Sequence, residues 1–307
     1  MIIYDRIDFN IYEDSAISIG KFDGVHLGHQ MLVRKIVGMK KYGLKSVVFT
    51  FEPPAHRFFM ENSANYYDIT TKEEKRQIFE KMGVDYLIEF PFNELTSQIA
   101  AERFIEDILV GQAKMKYIVA GEDIHFGYKA QGNMAMLEEL SAGCGYKYEF
   151  CEKMCFKDEI ISSSRIREKL IKGDMETVSQ LLGRDYSIYG EVVTGNQIGR
   201  TIKVPTANIE IDVSKVIPLR GVYFSRTSID GKTYNSITNI GVNPTIDDKN
   251  KIKIETHLID EVVNLYGRSI NISLLHYKRG ECEFESIDVL KKTIMKDMSD
   301  AIEYFKM

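Results

Sequence analysis

The segment GKFDGVHLGH, residues 20–29, follows directly on the apolar run Ala16–Ile19. A buried strand that ends at a glycine and leads into His-Leu-Gly-His indicates a strand–turn–helix unit. His26 and His29 then lie on one face of the first helical turn, where unpaired N–H groups attract anions. Gly28 lets a ligand approach the backbone closely. The segment predicts a polyphosphate site, and the alternative is a pair of surface histidines after a turn.

The first part of the chain alternates short apolar runs with helical stretches. Thr70 and Glu73 form a possible capping box, and Gly83 is placed to end that helix. Thr96 starts another helix that Gly111 can end. This alternation predicts a doubly wound parallel sheet, in which ligands bind beyond the carboxyl ends of the strands. The predicted strands are Ala16–Ile19, Ser46–Phe51, Tyr86–Phe90, Tyr117–Ala120 and Tyr146–Phe150.

The pattern changes after about Gly183. Asp230-Gly231 between two alternating runs is a strong hairpin signal, and no helical stretch separates the later runs. Short strands without intervening helices predict a small antiparallel β-barrel, followed by a helix that Ser286 can cap. The expected domains are residues 1–183 and 184–307. The predicted barrel strands include Val222–Ser228, Thr233–Ile240, Lys251–Asp260 and Ile270–Tyr277.

Composition narrows the choice of partners. The 307 residues suggest about two domains, and the formal net charge of −5 gives no footprint for nucleic acid. No apolar run is long enough to cross a membrane, and the N-terminus has no cationic secretory signal. The four cysteines form no CxxC pair. We expect reduced thiols in a cytoplasmic protein with no nucleic-acid, membrane or obligate protein partner.

Two further segments of the first part could contact phosphate. ISSSRIR, residues 161–167, precedes a predicted helix, so Ser163, Ser164 and Arg167 could cap that helix or bind phosphate oxygens. Asp123 follows a predicted strand and is either a ligand contact or a turn residue.

The second part carries candidates for a metal and a base. Thr206 and Asn208 in the segment PTAN supply neutral oxygens, which suit magnesium shared with phosphates. Glu255 lies on the polar face of its predicted strand. For Thr206 and Asn208 the alternative is a Pro-Thr turn with an Asn cap, and for Glu255 it is a solvated carboxylate. The sequence contains no P-loop motif and no GxGxxG, so ATP would be bound without either.

The order of the motifs resembles that of one known family. GKFDGVHLGH, ISSSRIR, GRTIKVPTAN, RGVYF, NIGVNPT and IETHLID occur in this order in the prokaryotic bifunctional riboflavin kinase/FMN adenylyltransferases, also called FAD synthetases. The resemblance covers nearly the whole chain. It implies that the barrel phosphorylates riboflavin with ATP to FMN. It also implies that the first domain transfers AMP from ATP to FMN, giving FAD and pyrophosphate.

The resemblance also implies residue roles. Glu255 matches the family's base for the riboflavin hydroxyl, and Thr206 and Asn208 match the pair that organises Mg²⁺ and ATP. His26 and His29 match the catalytic pair of the adenylyltransferase. The nucleotide-binding positions expected from the matched segments are Phe22, Gly24, Asp123, Ser163, Ser164, Arg167, Gly199 and Lys203.

Some positions depart from the family pattern. Pro54, Ile124 and Ala130 stand where relatives commonly carry His, Phe and Arg, and Lys203 replaces a small glycine. Three of the four changes fall in the adenylyltransferase half. An alternative function is therefore riboflavin kinase only, with the first domain kept as a nucleotide- or flavin-binding regulatory module.

Overall fold

The structure is a computed structural model that describes residues 1–55, 58, 67–193, 205–242, 252–259, 265 and 267–306. The chain divides into two compact units, Met1–Ser163 and Ser164–Met307.

The first unit is built on a six-stranded sheet in which every described pair is parallel. Its strand order, β1-β4-β3-β2-β5-β6, confirms the predicted doubly wound sheet. Both faces are covered by helices, so successive residues of a strand enter opposite cores: Ile17 lies in one and Ala16 in the other. The strands are β1 Ile2–Tyr4, β2 Ser15–Ile19, β3 Lys45–Glu52, β4 Tyr86–Pro91, β5 Met115–Gly121 and β6 Lys147–Cys151.

Helices connect these strands. They are α1 Leu27–Gly38, α2 Lys72–Lys81, α3 Ala101–Arg103, which continues as a π-helix over Phe104–Gln112, and α4 Met134–Cys144. A small exposed hairpin follows the sheet, formed by β7 Cys155–Phe156 and β8 Glu159–Ile160.

The predicted starts of two helices were wrong, and the second of these helices ends at Gln112 rather than at Gly111. The capping box of α2 is formed by Thr71 and Glu74, one residue later than predicted, because Thr70 is used in another contact described below. The helix expected from Thr96 is only a 3₁₀ turn there. The Thr96 hydroxyl donates to the Pro91 carbonyl and is held in a local turn, so the longer helix begins at Ala101.

The second unit contains a closed antiparallel barrel with strand order β10-β13-β12-β11-β14-β9, which confirms the predicted barrel. Ser286 caps the last helix, as predicted, through its hydroxyl oxygen, which accepts from the Val289 amide. The strands are β9 Tyr186–Val193, β10 Ala207–Ile211, β11 Gly221–Ile229, β12 Lys232–Val242, β13 Ile252–Leu258 and β14 Ser269–Arg279. The helices are α5 Ser163–Ile171, whose first residue still belongs to the first unit, α6 Met175–Leu182 and α7 Ile287–Lys306.

The barrel interior contains a ring of five buried hydroxyl groups. The ring runs from Ser225 to Ser236 (2.8 Å), Thr227 (2.9 Å), Thr256 (3.3 Å), Thr238 (3.0 Å) and back to Ser225 (2.8 Å). Each hydroxyl can donate once and accept once around the ring. Strands β11, β12 and β13 are thereby joined inside the barrel as well as by their backbones.

Among the described residues, no helix has the length and apolar character needed to span a membrane.

Candidate active sites

The turn after β2 has a strained backbone. Phe22, Gly24 and Val25 have φ values of +49°, +78° and +39°. Left-handed backbone is rare for residues other than glycine, above all for a β-branched valine, and each such residue costs on the order of 1–3 kcal/mol. Strain of this kind persists only where the surroundings hold it, and it is concentrated at functional sites.

Contacts from distant segments hold this turn in place. The Asp23 carboxylate accepts from the amide of Ile69 at 2.8 Å, and the Gly24 amide donates to the Thr70 hydroxyl at 3.0 Å. From the other side, the Ser163 hydroxyl donates to the Asp23 carbonyl at 2.9 Å. These contacts were not predicted, since their partners lie 46 and 140 residues away and leave no local signal.

The two histidines lie at the N-terminus of α1, as the sequence predicts. His26 is the N-cap, and its Nδ1 accepts from the His29 amide at 3.4 Å, so a neutral His26 carries its proton on Nε2. The two imidazole rings stack with centroids 3.7 Å apart. A Cβ on Gly28 would lie 3.3 Å from the His26 ring, so this glycine leaves room for the imidazole as well as for a ligand.

His29 is held in an uncharged state. Its Nδ1 is buried and has no hydrogen-bond partner among the described residues. Burial, and secondarily the neighbouring charge of His26, hold the pKa of His29 well below its ordinary value. At neutral pH His29 is therefore a neutral imidazole, and an arriving polyphosphate would favour its protonated form.

The remaining candidates of this unit take different positions. Phe22 is fully buried and packs edge-on against His29, with ring centroids 5.3 Å apart, so its side chain supports the imidazole. Asp123 follows β5, the neighbour of β2, and its exposed carboxylate pairs with Lys153 at 2.9 Å. That hydrogen bond lowers the pKa of Asp123.

The ISSSRIR segment was predicted to precede a helix, and helix α5 instead begins within it, at Ser163. Ser163 is the first helical residue and is bonded to the turn after β2. Ser164 and Arg167 belong to the second unit, where Ser164 is exposed and Arg167 is half-buried. Their roles stay predictions.

In the barrel, three candidate residues come together. Asn208 on β10 pairs directly with Glu255 on β13, so their side chains stand side by side on the outer face. The Thr206 hydroxyl lies 3.5 Å from Glu255 Oε1. Asn208 is buried, and 24% of the Glu255 side chain is exposed. Gly199 and Lys203 lie outside the described residues.

Two neighbours of Glu255 were not predicted. Asn239 on β12 pairs with Glu255 from the side opposite Asn208, so the three residues form a row across three strands. The Lys253 ammonium lies 2.9 Å from Glu255 Oε1. Alternation along β13 predicts that Lys253 and Glu255 share one face but does not predict their ion pair, and the register with Asn239 depends on the fold.

The donor set fits magnesium shared with a nucleotide. Within the described residues, no cluster of three or more His, Cys, Asp or Glu could hold a metal alone. The Thr206 hydroxyl and the Asn208 amide, next to the Glu255 carboxylate, instead offer hard oxygen atoms. Magnesium is commonly held by few protein oxygens together with substrate phosphates and water.

Both halves of the chain match known protein families. The profile of the FAD synthetase family matches residues 9–165, and that of the riboflavin kinase family matches residues 182–305. Proteins named bifunctional riboflavin kinase/FMN adenylyltransferase are similar over the whole chain. That from Buchnera aphidicola (Schizaphis graminum) is 38% identical over 97% of this chain and 96% of its own. That from Haemophilus influenzae is 36% identical over 96% of both.

The fold also matches a solved structure. A crystal structure described as a macrolide-efflux protein from Streptococcus pneumoniae aligns with a TM-score of 0.88 at 26% identity, over 97% of this chain and 98% of its own. The assignment to a family rests on the profile matches and on the full-length relatives. The chain belongs to the family of bifunctional riboflavin kinase/FMN adenylyltransferases.

Proposed function

We propose that this bifunctional enzyme carries out its two reactions at two separate sites, with the roles given below. The barrel phosphorylates riboflavin with ATP to FMN, and the first unit transfers AMP from ATP to FMN, giving FAD and pyrophosphate. The main support for the kinase site is the direct pairing of Asn208 with Glu255, with the Thr206 hydroxyl 3.5 Å from the carboxylate.

In the kinase, Glu255 is the general base. Riboflavin offers a neutral primary hydroxyl, a poor nucleophile that gains from a positioned carboxylate. Thr206 and Asn208 would hold Mg²⁺ with ATP, and the ion would neutralise charge on the phosphates. Glu255 orients the hydroxyl and takes its proton. The buried Asn208, which pairs with Glu255 across the strands, helps to position that carboxylate.

In the adenylyltransferase no base is needed. The FMN phosphate is already an anion at neutral pH, so catalysis consists of alignment and charge stabilisation. An FMN phosphate oxygen bonds to the α-phosphorus of ATP, and pyrophosphate leaves with the electrons of the broken bond. His26, His29 and the α1 N-terminus donate hydrogen bonds to the phosphates. Gly24, Asp123, Ser163, Ser164 and Arg167 are proposed as further nucleotide contacts.

Both family profiles match, and the full-length relatives carry both activities in their names, so the bifunctional interpretation is favoured over the kinase-only alternative. Two of the departures from the family pattern, Pro54 and Ile124, are buried, and Ala130 is exposed with a left-handed backbone. The proposal places the enzyme in the cytoplasm, with ATP and Mg²⁺ and without an obligate protein partner.

Incubation of the purified protein with riboflavin, ATP and magnesium tests the activities. Chromatography should show FMN followed by FAD, with pyrophosphate released in step with FAD. FMN alone, with no FAD from oxidised or reduced FMN supplied directly, would support the kinase-only alternative. Loss of turnover with EDTA, and recovery with added Mg²⁺, tests the metal.

The proposed functional domains are residues 1–183 and 184–307. Helices α5 and α6 complicate a cut at residue 184, because Leu219 bonds the Leu170 carbonyl and Glu176 bonds His276 within the second unit. We expect fragment 164–307 to retain riboflavin kinase activity and to melt at a higher temperature than fragment 184–307. Equal melting temperatures would show that α5 and α6 do not stabilise the barrel.

A further inference from the structure

We infer that Lys253 is a further substrate-contacting residue of the riboflavin kinase, which binds the γ-phosphoryl group of ATP during transfer. The inference rests on the proposed role of Glu255 as the base. No motif of the sequence singled out Lys253, and the structure places it beside Glu255, two residues earlier on the same face of β13.

The position of Lys253 follows from its contact with Glu255. Its ammonium lies 2.9 Å from Oε1, and 30% of the Lys253 side chain is exposed. A base must come within about 2.6–3.2 Å of the hydroxyl oxygen that it serves. That oxygen must in turn lie about 3–3.5 Å from the phosphorus that it attacks. A cation on the same carboxylate is therefore within reach of the γ-phosphoryl oxygens, since a lysine head moves freely on its four-carbon stem.

The two oxygens of Glu255 divide the work. Among the described residues, Lys253 and Thr206 both contact Oε1. A carboxylate has about four acceptor positions, so Oε2 can receive the riboflavin hydroxyl while Oε1 keeps the lysine. The ion pair thus fixes the carboxylate without occupying the oxygen that acts as the base.

A lysine at this point would add to the charge stabilisation that Mg²⁺ would supply. The transferred phosphoryl group carries its charge on three equatorial oxygens, and enzymes stabilise that charge with metal ions and Lys or Arg. His257, the next polar residue of β13 on this face, is committed elsewhere, because its Nδ1 is 2.7 Å from the Pro205 carbonyl. Lys253 is therefore the described cation on β13 that can serve the phosphate.

The transfer step balances without a further reactant. The hydroxyl oxygen of riboflavin bonds to the γ-phosphorus, the bond from that phosphorus to the β–γ bridging oxygen breaks, and ADP leaves with the electron pair. The hydroxyl proton passes to Glu255 Oε2. Lys253 keeps its own proton throughout, since its ammonium has three N–H donors and can bind Glu255 Oε1 and the phosphoryl oxygens together.

The test compares a triphosphate with a diphosphate. In Lys253→Met, binding of a non-hydrolysable Mg-ATP analogue should weaken about tenfold or more, the value of one charge-assisted hydrogen bond, while Mg-ADP binds within about twofold of wild type. The kinase kcat should fall by roughly 10²–10³. Lys253→Arg should recover most of both losses. Titration calorimetry and steady-state kinetics of the full-length protein supply the measurements.

Lys278→Met is the matched control. Lys278 is a barrel lysine with 28% exposure that pairs with Asp300 at 2.7 Å, and its strand β14 lies three strands from β13. Lys278→Met should leave triphosphate binding and kinase turnover unchanged. The melting temperature of each variant checks the integrity of the barrel, and Lys253→Gln repeats the test if the Met variant melts early.

Equal weakening of ADP and the triphosphate analogue in Lys253→Met, or wild-type turnover, would overturn the inference. Glu255→Gln measured in parallel separates it from the proposed base. Normal turnover of Glu255→Gln would refute the base, whereas the triphosphate preference tests Lys253 directly.

Discussion

The two candidate sites of this protein are held by different means. The adenylyltransferase site depends on a turn with left-handed residues, clamped by contacts 46 and 140 residues away in sequence. The kinase site depends on strand register, which places Asn208, Glu255 and Asn239 in one row. A turn of this kind should respond to a single added methyl group. A row set by backbone ladders should respond mainly to removal of its functional groups.

The largest effect is expected at Glu255. Glu255→Gln keeps the shape of the side chain and removes the base, so kinase turnover should fall by on the order of 10²–10⁴ while ATP still binds. FAD formation from supplied FMN should stay near normal. Glu210→Gln, an exposed carboxylate of the neighbouring strand β10, is the control and should leave both rates unchanged. FMN production by Glu255→Gln at the wild-type rate would remove Glu255 from the mechanism.

At the other site, His29→Ala should reduce FAD formation by roughly 10²–10³, the usual cost of one donor to developing charge. FMN formation should be unaffected. His276→Ala alters a histidine that pairs with Glu176 in the second unit, and it should affect neither reaction. Unchanged FAD formation in His29→Ala would refute the assignment of the HxGH segment.

The lowered pKa of His29 gives that variant a second measurement. Because a bound polyphosphate stabilises the protonated imidazole, its pKa rises on binding. The wild-type protein should then take up a proton when it binds ATP at a pH between the free and bound values. Calorimetry in two buffers of different ionisation enthalpy measures this uptake, which should shrink in His29→Ala.

Gly28→Ala tests how sensitive the histidine pair at the start of α1 is to crowding. The added Cβ would lie 3.3 Å from the His26 ring and should displace it by a few tenths of an ångström. A small misplacement of a catalytic group can cost on the order of tenfold, so FAD formation should fall by about that factor. Gly38→Ala, at the other end of α1 with no atom within 4 Å of the added Cβ, should have no effect on rate. Equal rates of FAD formation in both variants would show that the site tolerates an added methyl group beside His26.

The smallest predicted effect concerns the barrel that sets the kinase row. Thr238→Val breaks the buried hydroxyl ring at two points and leaves Ser225 and Thr256 each short of a partner. The free energy of unfolding should fall by about 1–3 kcal/mol. Thr233→Val removes an exposed hydroxyl paired with Ser228 and should cost much less. Denaturant melts of both variants give the comparison, and equal losses would show that the ring does not stabilise the barrel.

Local patterns predicted most of the fold. Strand β2 follows from its apolar run, and helix α1 follows from the glycine-containing turn before it. The hairpin of β11 and β12 follows from Asp230-Gly231. The errors were local too. The capping box of α2 shifted from Thr70 to Thr71, because two adjacent threonines offer equivalent caps and only the tertiary contact to Gly24 distinguishes them.

By itself, the sequence determined the alternation of strands and helices, the change to a barrel, and the placement of His26, His29 and Glu255 at element ends or polar faces. These features depend on neighbours within a few residues, whose periodicity and turn chemistry can be seen in the chain. The tertiary structure alone decided the clamp on Asp23, the burial that keeps His29 neutral, and the row from Asn208 through Glu255 to Asn239. Each of these depends on residues that are distant in sequence and become neighbours only when sheet register and packing bring them together.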